Sequence, residues 1–231
     1  QGAKYAPFPV VAAPYGMTLG GGCETTLGAD RIVGHAELFM GLVEIGVGLL
    51  PAGGGTMNIW KKFVNALPGQ VAKDTDLAKL FIPAFMNVAM AKVSMSAAQA
   101  VDNGYLGLND RIVFNRDNLI GEAKKEVLKM VDDAYAPPVK KPLKVMGNAG
   151  QGMVNAEIYN MLHGKFMSEY DAFLARRIAF VMSGGDVNKN SEVDEDTILK
   201  LEREAFIDFA KEEKTIARID HMMKTGKPLR N

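Results

Sequence analysis

The sequence is poor in several things that would have narrowed its chemistry at once. It has one cysteine, Cys23, so no disulfide can form within the chain, which fits a reducing, cytoplasmic setting. Its three histidines, His35, His163 and His221, are scattered and share no metal-ligand spacing, so no metal site is expected. No Ser-His-Asp order stands out. Neither charge sign is in excess: Lys plus Arg is 27 and Asp plus Glu is 27. A net charge near zero gives no general pull toward nucleic acid or an anionic membrane. No apolar run approaches the roughly 20 residues of a membrane span, and no signal-peptide pattern is present.

What is there is a globular composition. Apolar residues make up 48% of 231, enough for a sizeable core. The 14 methionines fall on apolar helical faces and read as core filling. Gln1 rather than Met opens the chain and a strand-like run follows almost at once, so a piece of a longer protein is expected.

The pattern is α/β up to about residue 134 and helical after a Pro-, Lys- and Gly-rich connector at 135–152. In the first part, "PVVAAPYG" reads as a buried strand and "RIVGHAELFMG" as two short strands split near Gly34–Ala36. A helix is expected from about Thr56 to Leu67 and another over "DTDLAKLFIPAFMNVAMAK", interrupted near Pro83. "SAAQAVDNGYL" is a short helix with Ser96 as N-cap and Gly104 as its stop. "DRIVF" is a strand, and Asp117 is expected to cap the amphipathic helix after it. In the second part, over 153–231, helices are expected at about 153–163, 168–183 and 194–223.

Two glycine clusters carry the chemical interest, Gly20–Gly22 and Gly53–Gly55. Neither fits a dinucleotide fingerprint or a P-loop. A strand, then glycines, then a helix start is either a crowded turn or a set of free backbone N–H groups able to hold an oxyanion. Two glutamates lie close by in sequence. Glu24 is two residues past the first cluster, and Glu44 follows 20 residues later in the apolar stretch "LVEIGVG". A glutamate there is paired, protonated or facing a cleft. The pair is either acid–base machinery for a carbonyl compound or a turn residue and a strand-end surface residue. Cys23, beside a carboxylate, is a small packed side chain rather than a nucleophile.

Three blocks in order, "PVVAAPYGMTLGGGCETTLGADRIVG", "VEIGVGLLPAGGGT" and "VSMSAAQAVDNGYL", resemble the crotonase (enoyl-CoA hydratase/isomerase) family over roughly residues 8–131. The closing "IARIDHMMKTGKPLRN" resembles the end of bacterial proteins that join a 3-hydroxyacyl-CoA dehydrogenase to a crotonase domain. The resemblance implies a fold class: α/β, a partial ββα spiral over 1–134 with its N-terminal turns absent, then a helical C-terminal region. It implies Glu24 and Glu44 as the catalytic glutamates of a hydratase and Gly21 N–H as one oxyanion donor. Lys224, Lys227 and Arg230 are the implied CoA-phosphate contacts. An acyl-CoA thioester is the implied substrate, and NAD would serve only an upstream dehydrogenase portion. The second oxyanion donor would come from an upstream segment, so the chain alone is expected to be weak or inactive and to self-associate or bind that missing portion. A crotonase-fold isomerase or thioester hydrolase, or a non-enzymatic assembly module, are the alternatives.

Overall fold

A computed structural model of the chain describes residues 1–65, 71 and 75–231. Its α/β part is built from very short parallel strands. β1 (Val11–Ala12), β3 (Arg31–His35) and β5 (Arg111–Val113) form one sheet in the order β1-β3-β5. β2 (Met17–Leu19) and β4 (Phe39–Gly41) form a second. The chain therefore alternates between two sheets and closes each turn with a helix: β1, β2, then α1 (Gly21–Leu27); β3, β4, then α2 (Gly55–Asn65). This is the expected ββα stack. "PVVAAPYG" supplies only the two residues of β1, while the split near Gly34–Ala36 falls between β3 and β4 as expected.

α3 (Ala78–Ala89) runs through Pro83 without a break. The expected interruption there does not occur, and packing explains it: Phe81, Ala84, Phe85 and Val88 are all buried, which outweighs one lost backbone bond. α4 (Ala97–Asp102) starts as expected, with Ser96 Oγ accepting from Gln99 N at 3.1 Å. It stops before Gly104, whose φ is +75° and whose Cβ position is filled by the Phe63 ring. α5 (Leu119–Asp132) is not capped by Asp117. A 3-10 turn at Arg116–Asn118 precedes it, and the Asn115 side chain accepts from Asp117 N at 3.0 Å. α5 covers β3 and β5, burying Leu119 and Ala123 against Val33 and Val113.

The stretch 135–152 is a connector only as far as 142. β6 (Leu143–Lys144) pairs antiparallel with β7 (Glu192–Val193), and α6 begins inside the stretch (Gly147–His163). α7 (Glu169–Met182) follows a Ser168/Asp171 capping box. The two halves share one core. Trp60 of α2 meets Phe81 of α3 edge-on at 5.5 Å, donates to Lys144 O at 3.0 Å, and joins a cluster running on to Phe209.

The expected helix at 194–223 is two, α8 (Glu195–Lys211) and α9 (Glu213–Thr225), because Glu212 adopts an extended backbone. The break lets α9 turn back onto the α/β part. Buried Arg218 donates to Asp171 Oδ1 at 2.8 Å, and Thr215 Oγ1 donates to Gly48 O at 2.7 Å. Burial pushes the Asp171 pKa up, but Arg218 and Arg230 pull it further down, to below the usual carboxylate range. The latch therefore contributes fully above that range and is lost as pH falls through the lowered value. Arg218→Met would leave Asp171 buried beside the half-exposed Arg230 alone. A stability loss of about 3 kcal/mol is expected, read as a lower urea midpoint.

Candidate active site

The register of the second sheet brings two distant carboxylates together. Leu19 of β2 is opposite Gly41 of β4, and Gly20 N donates to Gly41 O at 2.9 Å. The strands are parallel, so both chains leave the sheet side by side. One enters α1, which carries Glu24. The other enters a 3-10 turn at Glu44–Val47, which begins with Glu44.

Of the three glycines at 20–22, the backbone conformation favours glycine at one. Gly20 has φ +55° and ψ −127°, and a Cβ there would stand 3.4 Å from Glu44 Oε1. Gly21 opens α1, is exposed, and has nothing within 4 Å of where a Cβ would be. Its N–H lies in the first turn, where no intrahelical acceptor exists.

The second glycine cluster is a cradle for Glu24. Glu24 Oε1 accepts from Gly53 N at 2.7 Å and Gly55 N at 2.9 Å. Cβ atoms at Gly53 and Gly55 would each come within 2.8 Å of that carboxylate, and at Gly55 also within 2.5 Å of Pro51. Glu24 Oε2 accepts no hydrogen bond from any described residue. Burial pushes the Glu24 pKa up, and the Gly55 and Gly53 N–H groups pull against it without cancelling it.

Glu44 is held differently. Both its oxygens are buried, and neither makes a hydrogen bond of ordinary geometry with any described residue. Burial pushes its pKa up to about 7. The N–H groups of Glu44 and Val43 lie near enough to oppose that shift in part, while the charge of Glu24 adds to it. The charge of Glu24 thus reaches Glu44, and both carboxyls are raised above the usual carboxylate range.

Cys23 is fully buried, and burial with the charges of Glu44 and Glu24 pushes its thiol pKa far up, so it is inert as a nucleophile here. His35 is buried and its Nδ1 accepts from Glu37 N. Among the described residues no group of three His, Cys, Asp or Glu is placed to hold a metal ion, and no helix is long and apolar enough to cross a membrane. The three basic residues near the end of the chain do not form one free cluster. Lys224 pairs with Asp220 at 2.6 Å and Arg230 with Asp171 at 3.0 Å, whereas the Lys227 backbone is tied to Thr225. Arg230 also lines a pocket of about 450 Å³ with Lys165, Phe166 and Asp171, to which neither Glu24 nor Glu44 contributes.

One carboxylate at this site escaped the sequence reading. Glu202 of α8 is fully buried and accepts from Gly54 N at 2.9 Å, Met57 N at 3.0 Å and the Thr56 hydroxyl. Burial pushes its pKa up to about 7 against those donors. The available signal was its place on the apolar stripe Ile198, Glu202, Ala205, Phe209, where an unpaired glutamate is costly.

No protein-family model matches the chain. It is 42% identical over 228 residues to a probable 3-hydroxyacyl-CoA dehydrogenase of Bacillus subtilis, which covers 99% of this chain and 28% of that protein. It is 28% identical over 221 residues to a putative fatty acid oxidation complex trifunctional enzyme of Rickettsia felis, covering 96% of this chain and 27% of that one. The chain thus spans little more than a quarter of the curated relatives it matches. Among solved structures, it is similar to an enoyl-CoA hydratase from Mycobacterium avium subsp. paratuberculosis, with TM-score 0.54 and 16% identity over 99% of this chain and 67% of that one. A carnitinyl-CoA hydratase from Mycobacterium avium gives TM-score 0.51 and 19% identity, covering 96% and 62%.

Proposed function

We propose that this chain, which has the crotonase fold of the enoyl-CoA hydratases, supplies the carboxylate side of a hydratase site in a longer bifunctional enzyme of fatty-acid oxidation. The observation that carries this reading is the pairing of Glu24 and Glu44. One is fixed through a single oxygen by two N–H groups; the other is buried with no hydrogen-bond partner among the described residues, and burial pushes its pKa up to about 7.

The reaction divides between them. An enoyl thioester carbonyl docks on the open Gly21 N–H, which stabilises the charge that grows on its oxygen. This withdraws electron density from C3. Water held by the glutamates adds its oxygen to C3 and gives a proton to the free Oε2 of Glu24. Glu44 gives its proton to C2, completing addition of H and OH across the double bond. Proton exchange between the coupled carboxyls resets the pair. The emptiness beside Gly21 supports its role: nothing among the described residues needs a bare backbone there, whereas a docking carbonyl does.

The 3-hydroxyacyl product is what a dehydrogenase portion elsewhere in the longer protein would oxidise with NAD. Lys224, Lys227 and Arg230 remain proposed contacts for CoA phosphates, and two of them would have to exchange an acidic partner for phosphate. Exposed Met17, Phe114 and Leu108 are apolar surface that the rest of the parent, or a second copy, would cover. A cytoplasmic location fits the lone thiol and the soluble thioester substrate.

The test is hydration of crotonyl-CoA by the full-length parent, followed as loss of the conjugated thioester absorbance. Glu24→Gln is expected to lower kcat by about 10²–10⁴-fold. Undiminished hydration in that variant would sink the two-glutamate mechanism, whereas a parent that leaves crotonyl-CoA untouched but shifts the double bond of a 3-enoyl-CoA would favour an isomerase working through Glu44 alone.

A further inference from the structure

We infer that Glu202 is a positioning residue for Glu24, acting through the Gly53–Gly55 loop that the two carboxylates share. The inference rests on the hydratase reading for its consequence and on geometry for its substance. Successive N–H groups of the loop point alternately to the two sides. Those of Gly53 and Gly55 go to Glu24 Oε1, at 2.7 and 2.9 Å. Those of Gly54 and Met57, with the Thr56 hydroxyl, go to Glu202.

Three consecutive glycines have no conformation of their own, so something outside the loop must choose one. Gly54 is held at φ +98°, where an L residue is strained. Glu24 alone cannot make the choice, because it is only half-buried and takes both its bonds on one oxygen. Glu202 can. It comes from a separate helix, 148 residues from Gly54 in sequence, and its side chain is completely enclosed. Oε1 takes the Thr56 hydroxyl and Met57 N–H; Oε2 takes Gly54 N–H. Burying a carboxylate is costly unless donors surround it, and here the donors are those of the loop itself. Fixing the loop from behind pins Glu24 Oε1 in front and leaves Oε2 as the oxygen that takes the proton. The helices after residue 190 therefore set the geometry of a residue near the start of the chain.

Glu202→Gln separates positioning from bulk. Its size is conserved, but whichever way the amide turns, one N–H donor of the loop now faces an NH₂. In the full-length parent a kcat lower by about 10- to 100-fold is expected, with KM little changed. The loss should vanish in a Glu24→Gln background, because the two changes disable one device. Hydrogen exchange should rise in peptides spanning Gly53–Met57 and stay unchanged in α5. If Glu202→Gln does not fold, Thr56→Val removes one donor and leaves the carboxylate; the same exchange pattern, smaller, is expected.

Unchanged kcat and unchanged exchange at Gly53–Met57 would overturn the proposal. So would a kcat loss that persists undiminished in the Glu24→Gln background, which is the mark of general destabilisation. A parent inert toward crotonyl-CoA would sink the hydratase reading instead, and the exchange pattern would still decide whether Glu202 governs the loop that holds Glu24.

Discussion

Glu44→Gln in the full-length parent is expected to lower hydration of crotonyl-CoA by about 10²–10⁴-fold and to remove one part of the loss of stability that the parent suffers between about pH 5 and 7. One cause underlies both effects. Glu44 has two buried oxygens without a hydrogen bond and a pKa pushed up from 4.5 to about 7 by burial. The folded state therefore keeps a proton that the unfolded chain has already released. Between those two values the folded form binds more protons, so stability falls as pH rises, by about 1.4 kcal/mol per pH unit for a single group. Above about pH 7 both forms have lost the proton and the slope ends. The total is on the order of 3 kcal/mol, reduced by proton sharing with Glu24. Glutamine has no proton to lose, so the share of the slope due to Glu44 disappears in the variant. Its amide leaves polar atoms unpartnered as before, but at equal cost at every pH. The difference between parent and variant in urea unfolding at pH 5 and pH 8 thus isolates the charge. Glu202 contributes a similar slope in both proteins and cancels. A parent–variant difference independent of pH would show that Glu44 is not the group that holds the proton, and would remove it as the acid.

Both glutamates could be found in the sequence because each stands where its neighbours make it conspicuous: Glu24 after a glycine run, Glu44 inside an apolar stretch. Their meeting could not, since it depends on the register Leu19↔Gly41 between two three-residue strands. The cradle of Glu24 was hidden for the same reason. Gly53 is 29 residues away, and a glycine cluster before a helix reads as a turn until its N–H groups have an acceptor. Glu202 left a trace on its apolar stripe, but its donors lie some 145 residues upstream. Local signals succeeded where the partner is local, as at Ser96 with Gln99. They failed where a 3-10 turn, capped by Asn115, takes up Asp117 ahead of the helix, or where packing overrides backbone preference, as at Pro83. The basic tail read as a cluster because sequence shows cations more readily than the anions that meet them. Asp220 is one helical turn away from Lys224, but Asp171 comes to Arg230 from another helix.

The 231-residue chain assayed by itself is expected to hydrate crotonyl-CoA at least about 10³-fold more slowly than the full-length parent. It carries both carboxylates and one open N–H at Gly21, which the proposed mechanism uses as the proton-transfer side of the reaction. Hydration also needs the thioester oxygen held at the moment charge develops on it. A single donor does this incompletely, and loss of one oxyanion donor typically costs about 10²–10³-fold. Positioning adds to the deficit. The solved hydratases of this fold are matched over only 62% and 67% of their length, so about a third of each lies outside the match, and the proposed site is expected to draw on the rest of the parent. Without those walls the C2=C3 bond is not held against Glu24 Oε2 and Glu44, and misplacement by about 1 Å can cost a further 10²-fold. The open side should also show itself physically. Met17 is 82% exposed and Phe114 85%, and the isolated chain should bind a hydrophobic dye or associate with itself, where the parent does neither. Mixing the chain with the separately expressed remainder of the parent should restore turnover if the two parts re-form one site. Parent-like turnover by the chain alone would mean that Gly21 and the two glutamates suffice, and that the oxyanion is held here by a single backbone donor.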